Sequence, residues 1–334
     1  MAHHAFGYLA HHGFRHLADH AFRHPAHHAF RYLAAAALAA ALVVPAQCQI
    51  RSHHQFNLNI REDNAEHCAD LRAESSGEIA QGTEAFSLSR SEAPVLEISA
   101  VDHSNIRVLG AAQSDYAVEV CKFAVAGDRA AAQQLLRGVA VSRSAGKLST
   151  SGPTAADDGQ WIAYFIVHAP KDAPVDLETR NGAIAVGGMD GQVKVHATNG
   201  PVAVRDCGGR VEAETVNGPI AFEGNGGDVH LEAQNGPIAL KISGETWNGN
   251  QLEAHTNNGP VSLKISDTFR SGVRVETSGH SPLSCRAAAC ANAMTDLRST
   301  ERVIQMNGSG DSIRISTHNG PISIGGDSKL KKII

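Results

Sequence analysis

Histidine is the first residue type in this chain with the capacity for chemistry. Nine of its 19 histidines fall within residues 3–34, in four octapeptides: HHAFGYLA, HHGFRHLA, DHAFRHPA and HHAFRYLA. His-rich tracts can coordinate Zn or Ni. The segment after the tract favours another reading. Leu33–Val44 is an apolar run of 12 residues, too short to span a bilayer but right for the core of a signal peptide. Val44-Pro45-Ala46 then offers a small residue at the cleavage position. We read 1–46 as a signal peptide with an expanded, Arg-bearing n-region, cleaved after Ala46. A start codon placed too far upstream would give the same pattern. Cys48 is a candidate lipidation site, although Gln47 stands where lipidation needs a small residue.

The six cysteines are Cys48, Cys68, Cys121, Cys207, Cys285 and Cys290. An even count in an exported chain permits disulfides. Cys285 and Cys290 are the best local pair, and Cys48 with Cys68 is a looser one. No CxxC occurs, which argues against structural zinc and thioredoxin-like chemistry. No G-x-S-x-G, H-E-x-x-H or P-loop motif occurs either.

Acidic side chains could cleave polysaccharide if they converged in a groove. Glu178, Glu212, Glu232, Glu253 and Glu276 are instead spread along the chain at repeat-like intervals, which reads as a solvated strand face. His196, His230 and His255 occupy near-equivalent positions and read as surface histidines. EGNGGD (223–228) is one partial echo of a calcium-binding nonapeptide, and a single copy makes no ladder. We assign no catalytic, cofactor or metal residue.

The elements that position these residues are repeats. Asn181-Gly182, Asn199-Gly200, Asn217-Gly218 and Asn235-Gly236 recur every 18 residues, followed by Asn258-Gly259, Ser278-Gly279 and Asn319-Gly320 at wider spacing. Each is preceded by an alternating segment such as VKVHAT (193–198) and followed by a second one such as PVAV (201–204). Period-2 alternation marks half-buried strands. Strand–Asn-Gly–strand ordinarily reads as a type I′ hairpin. Here Pro follows Gly at Pro201, Pro219, Pro237, Pro260 and Pro321. That residue would have to donate its N–H across a two-residue turn, and proline has none. The dipeptides are therefore read as open corners whose asparagines form a ladder. The fold expected is all-β: a single-stranded parallel β-solenoid (β-helix) of about 18-residue coils, with an irregular N-terminal part and a short helix over Gly127–Arg137 capped by Asp128.

Composition agrees. Glycine is abundant at 32, aromatic residues make up 5% and the formal net charge is −5, which suits thin repetitive β structure. Without a basic cluster, nucleic acid is not an expected partner. The domain reading is 1–46 signal peptide, 47–82 linker or disordered lead, and 83–328 solenoid with an insert at 285–310. A second helix is expected near Ala291–Arg298. Trp161, Tyr164 and Phe165 are expected to plug one end. Ala185, Ala203, Ala221, Ala239, Ser262, Ser284 and Ser323 share one position of the second strand and would form a flat outward stripe.

The lead VHAPKDAPVDLETRNGAIAV (167–186) and the N-G-x-[IV]-x-[VLFI] series after it resemble the putative-adhesin domains of bacterial envelope proteins, a group related to the auto-transporter adhesin head domain. The resemblance covers roughly 84–325. It implies a non-catalytic β-solenoid at or beyond the envelope, in the periplasm, on the outer membrane surface or outside the cell, binding a surface, polysaccharide or protein. It supplies no catalytic residues. A periplasmic scaffold that self-associates through the Ala/Ser stripe is the alternative, and a polysaccharide-active β-helix enzyme stands third. Membrane contact is expected only through a lipid on Cys48.

Overall fold

The structure is a computed structural model that describes residues 56–61, 65–100, 104–154, 159–278, 281–296, 301–308 and 310–326. The leader, its proposed cleavage site and Cys48 lie outside the described residues. The chain is predominantly β, as expected, with one α-helix among the described residues. Most strands join two large sheets.

The segments before the corners form one sheet. Val175–Thr179, Val193–Ala197, Arg210–Thr215, Asp228–Asn235 and Gln251–Asn258 pair in parallel, each with the next. The segments after the corners form the other. Ile184–Gly187, Val202–Arg205, Ile220–Gly224, Ile238–Ile242 and Val261–Ile265 pair likewise. Register is fixed because one side chain in two is buried between the sheets, and a one-residue slip would turn every one of them outward. Val175, Val193, Val211, Val229 and Leu252 make one inward column, and Ile184, Val202, Ile220, Ile238 and Val261 face it from the second sheet.

The corners explain the invariance of their glycine. Gly200, Gly218, Gly236, Gly259 and Gly320 do not adopt a left-handed backbone. A Cβ on Gly218 would instead sit 2.1 Å from the Gly200 carbonyl oxygen, and one on Gly236 1.9 Å from that of Gly218. Backbone stacks directly on backbone there, and only glycine fits. The following prolines have no N–H to satisfy, while their carbonyls accept from the neighbouring strand, as Pro219 O does from Val202 N at 2.9 Å. Position 183 is alanine, and its N–H donates to Asn105 Oδ1 at 2.9 Å. At four of the corners a threonine two residues before the asparagine ties neighbours together, whereas Ala197 and Ala233 take that place at the other two. Thr256 Oγ1 donates to Gly236 O at 2.9 Å and Thr317 Oγ1 to Gly259 O at 3.1 Å.

Three features depart from the sequence reading. The sheets are mixed, not purely parallel. Glu78–Leu88, Tyr116–Ala126 and Gly159–Pro170 pair antiparallel at one end, as do Ala140–Ser144 with Lys147–Ser151. Glu301–Met306 pairs antiparallel with Val273–Ser278 at the other. Antiparallel hairpins close ends that a purely parallel stack would leave as open edges. The order of repeats is also not the chain order. Ile313–Asn319 pairs directly with Gln251–Asn258, and Val273–Ser278 lies outside it. Finally, the stretch 47–82 is not a featureless linker where it is described. Leu58–Arg61 pairs with Arg72–Ser75, and the long strand begins at Glu78.

Helix α1, Arg129–Arg137, stands where expected, with Asp128 accepting from Ala131 N at 2.9 Å. No helix forms near Ala291–Arg298 among the described residues. Ala288–Asn292 is a 3-10 turn and Met294–Asp296 is a strand, because Met294 to Asp296 pair with Gln305 to Val303. Trp161, Tyr164 and Phe165 are buried in Gly159–Pro170, a strand covered on both faces.

Steric stacking at the corners makes Gly218→Ala destabilising by about 3 kcal/mol. Gly325→Ala, with nothing within 4 Å of its new methyl, should change stability by less than about 0.5 kcal/mol. Urea unfolding midpoints of the two variants check the contrast. Thr256→Val should cost about 1–2 kcal/mol by stranding the buried Gly236 carbonyl, read the same way.

Candidate functional site

Three surfaces are regular enough to be candidate sites. At the corners, each asparagine donates its side-chain amide to the one before it. Asn199 to Asn181 and Asn217 to Asn199 are 2.9 Å, Asn235 to Asn217 is 3.1 Å, and Asn258 to Asn235 and Asn319 to Asn258 are 3.0 Å. All six side chains lie on one exposed edge. Ser278, in the repeat that lacks asparagine, bonds His318 Nδ1 at 2.9 Å instead.

The outer face of the first sheet carries two rows of charge. Lys194, Glu212, His230, Glu253 and Arg314 are neighbours in one row, and Glu178, His196, Glu214, Glu232 and His255 in the other. His196 and His255 therefore share a row three repeats apart, and His230 lies in the adjacent one. Several of the acids have basic or imidazole neighbours. Glu212 pairs with Arg210 at 2.6 Å, Glu214 with His196 at 3.5 Å, Glu253 with His230 at 3.6 Å and with Arg314 at 3.8 Å, and Glu276 with Arg274. Such a surface presents charged and imidazole side chains at the strand spacing of about 4.8 Å, with Glu214 and Glu232 the one pair of carboxylates side by side in these two rows.

The outer face of the second sheet carries the small-residue stripe. Ala185, Ala203, Ala221, Ala239, Ser262, Ser323 and Ser284 are in register, in that order across the sheet. Beside it runs a charged row in which Glu223 binds Arg205 at 3.3 Å and Lys241 at 2.6 Å. The same face is already used once by the chain. At its N-terminal end, Leu58, Ile60 and Leu71 pack over Phe123, Tyr164 and Ile166. A disulfide between Cys68 and Cys121 pins this cover to the sheet. The expected partner for Cys68 was Cys48. Cys121 takes that place because it points outward from Tyr116–Ala126, directly under the cover.

Next to that disulfide, His67 Nδ1 lies 2.6 Å from Glu119 Oε1, and Cys68 N donates to Glu119 Oε2 at 2.8 Å. The Glu119 hydrogen bond holds His67 protonated above its ordinary value of 6.5. Partial burial pushes Glu119 up, but the hydrogen bonds from Cys68 and His67 outweigh it and hold the carboxyl below 4.5. No sequence signal marks this cluster, since 52 residues separate its partners.

Cys285 and Cys290 form a disulfide. Cys207 is a free, buried thiol, pushed by burial to about 11 and so unreactive. The EGNGGD segment serves the backbone. Gly227 has φ 106°, and a Cβ there would meet the Gly209 carbonyl at 2.7 Å. Among the described residues no group of three or more His, Cys, Asp or Glu is placed to hold a metal ion, and no helix is long and apolar enough to cross a membrane.

No family model matches the chain. No curated protein matches it. Among solved structures, it is similar to a "putative cell adhesion protein" from Clostridium sporogenes, at 10% identity and a TM-score of 0.31, covering 74% of this chain and 100% of that one. It is also similar to a "putative adhesin" from Bacteroides fragilis, at 12% identity and a TM-score of 0.40, covering 74% and 97%. At these scores neither likeness carries an argument about this chain.

The cover over the second sheet has a pH dependence of definite sign. Glu119 contributes stability above about pH 4.5 and loses it as pH falls through its depressed folded value. His67 contributes below about pH 6.5 and loses it as pH rises through its elevated one. Hydrogen exchange of residues 58–75 should therefore be slowest, relative to Glu119→Gln, between about pH 4.5 and 6.5. Replacing Cys68 and Cys121 together by serine should cost about 4 kcal/mol for a loop of this length and should expose the same segment to protease.

Proposed function

We propose that this chain is a non-catalytic, exported envelope protein: an adhesin-like binding module built on a β-solenoid. The observation that carries this reading is the pair of flat outer faces, on which one chemical pattern repeats at strand spacing. A repeating face of that kind suits a repeating ligand, such as a polysaccharide or an ordered surface. Most of the acids on the first sheet are spread along it beside basic or imidazole neighbours, which favours binding over hydrolysis. Export is supported by the signal-like leader and by the two disulfides, which belong to an oxidising compartment. In this reading 1–46 is the removed leader and 83–328 the solenoid domain, placed in the periplasm, on the outer membrane surface or outside the cell. Cys48 is the candidate for a lipid anchor.

A second reading has its own support. The chain packs Leu58, Ile60 and Leu71 onto the second sheet's outer face and leaves the alanines of the stripe beyond them half-buried. That face accepts a packed layer, so a second copy docking along the stripe would make the protein a scaffold.

Binding of the full chain to a glycan array and to intact cells tests the first reading. Retention without released product is expected. Turnover of any glycan, or an unchanged signal after replacing both Ala221 and Ala239 by lysine, would count against it. Sedimentation of the same pair of proteins tests the second, which requires wild type to be the larger species.

A further inference from the structure

The last repeat breaks the pattern of its column. Val186, Val204, Phe222, Leu240, Leu263 and Ile324 fill one inward position from strand to strand, and Cys285 takes the next place in register. Its disulfide partner Cys290 comes from the 3-10 turn Ala288–Asn292. The cap strand Glu301–Met306 brings Met306, fully buried, onto the same spot. Met306 Sδ lies 3.7 Å from Cys285 Sγ and 4.0 Å from Cys290 Sγ. Three soft sulfurs thus converge at the C-terminal end of the interior, where the insert meets the cap. Both cysteines are half-buried and within reach of solvent.

A metal bonded to three sulfurs at about 2.3 Å holds them about 4 Å apart. Both Met306 distances already have that value. Only the two cysteine sulfurs must separate, which they do when their bond is reduced. Thiolate and thioether donors select Cu(I), whereas zinc wants a fourth ligand and accepts nitrogen or oxygen. No set of three His, Cys, Asp or Glu is gathered at any place among the described residues.

We propose that Cys285, Cys290 and Met306 form a redox-gated Cu(I) site. A dithiol reductant opens the disulfide by thiol–disulfide exchange. The reductant's two thiols become a disulfide, and two electrons and two protons pass to Cys285 and Cys290. Cu(I) then displaces both thiol protons to solvent and binds two thiolates and the Met306 thioether. A small-molecule disulfide reverses the gate: the bond between Cys285 and Cys290 re-forms, the two sulfurs of the oxidant leave as thiolates, and the copper is released.

The test uses the full chain, reduced with an immobilised phosphine without air and titrated with Cu(I) against a chromophoric Cu(I) chelator. The variant Cys285→Ser with Cys290→Ser, treated identically, accounts for every other thiol and for the leader histidines. Wild type should hold one more copper per chain than this variant, and without reduction the two should hold the same amount. X-ray absorption of that additional copper should count three sulfurs. Met306→Leu conserves volume and should bind at least about tenfold more weakly, with two. Equal copper content in wild type and the double variant would overturn the site. A count of two sulfurs in wild type, or unchanged affinity in Met306→Leu, would overturn it as well and leave Met306 as packing for the disulfide.

Discussion

The repeats are held by backbone stacked on backbone. At every Asn-Gly corner a backbone carbonyl oxygen, that of Ser104 at Gly182 and that of the preceding corner glycine at the others, occupies the space where a side chain would begin. This contact sets the distance between repeats at the strand spacing and forces the two sheets to turn at the same place in each repeat. Everything else on the repeats is arranged around it. Proline follows glycine because its missing N–H would have had no partner. Where threonine precedes it, its hydroxyl gives the stacked carbonyls a donor from inside, as Thr256 and Thr317 provide. The asparagines align because the glycines beside them do.

A fold built this way is stable in its middle and exposed at its ends. The chain closes both by abandoning the parallel pattern. At one end three long strands turn antiparallel, and a separate hairpin covers their outer face under a disulfide. At the other, the chain places a repeat outermost, forms the antiparallel cap, and returns to fill the gap it left. The outermost repeat is the one with Ser278 in place of asparagine. It has a ladder partner on one side only, so the missing amide is least costly there.

The surfaces arise from the same regularity. Because register is fixed by burial, each outward position recurs in line, and the outer faces become rows of alanine and serine, of charged and imidazole side chains, and of asparagine. Rows distribute chemistry instead of concentrating it. The places where different side chains do converge are the ends, around Glu119 and around Met306, where the repeat is broken.

The sequence by itself determined the repeat, the inward and outward sides of each strand and the glycine corners. Periodicity, and the proline after each Asn-Gly, carry that information locally. It also marked α1 through its Asp128 cap and the nearby pair Cys285 and Cys290. The tertiary structure alone decided what depends on distant segments meeting. The pairing of Cys68 with Cys121, the exchange of the last two repeats, the strand in place of a helix at Met294–Asp296, and the antiparallel caps are all of this kind. None of these has a local signature. Cys121 alternates like any strand residue, and nothing near it says which loop will cover it. The physical reason is that a repeat writes its own neighbours into the chain, whereas an end is closed by whichever segment best satisfies its edges.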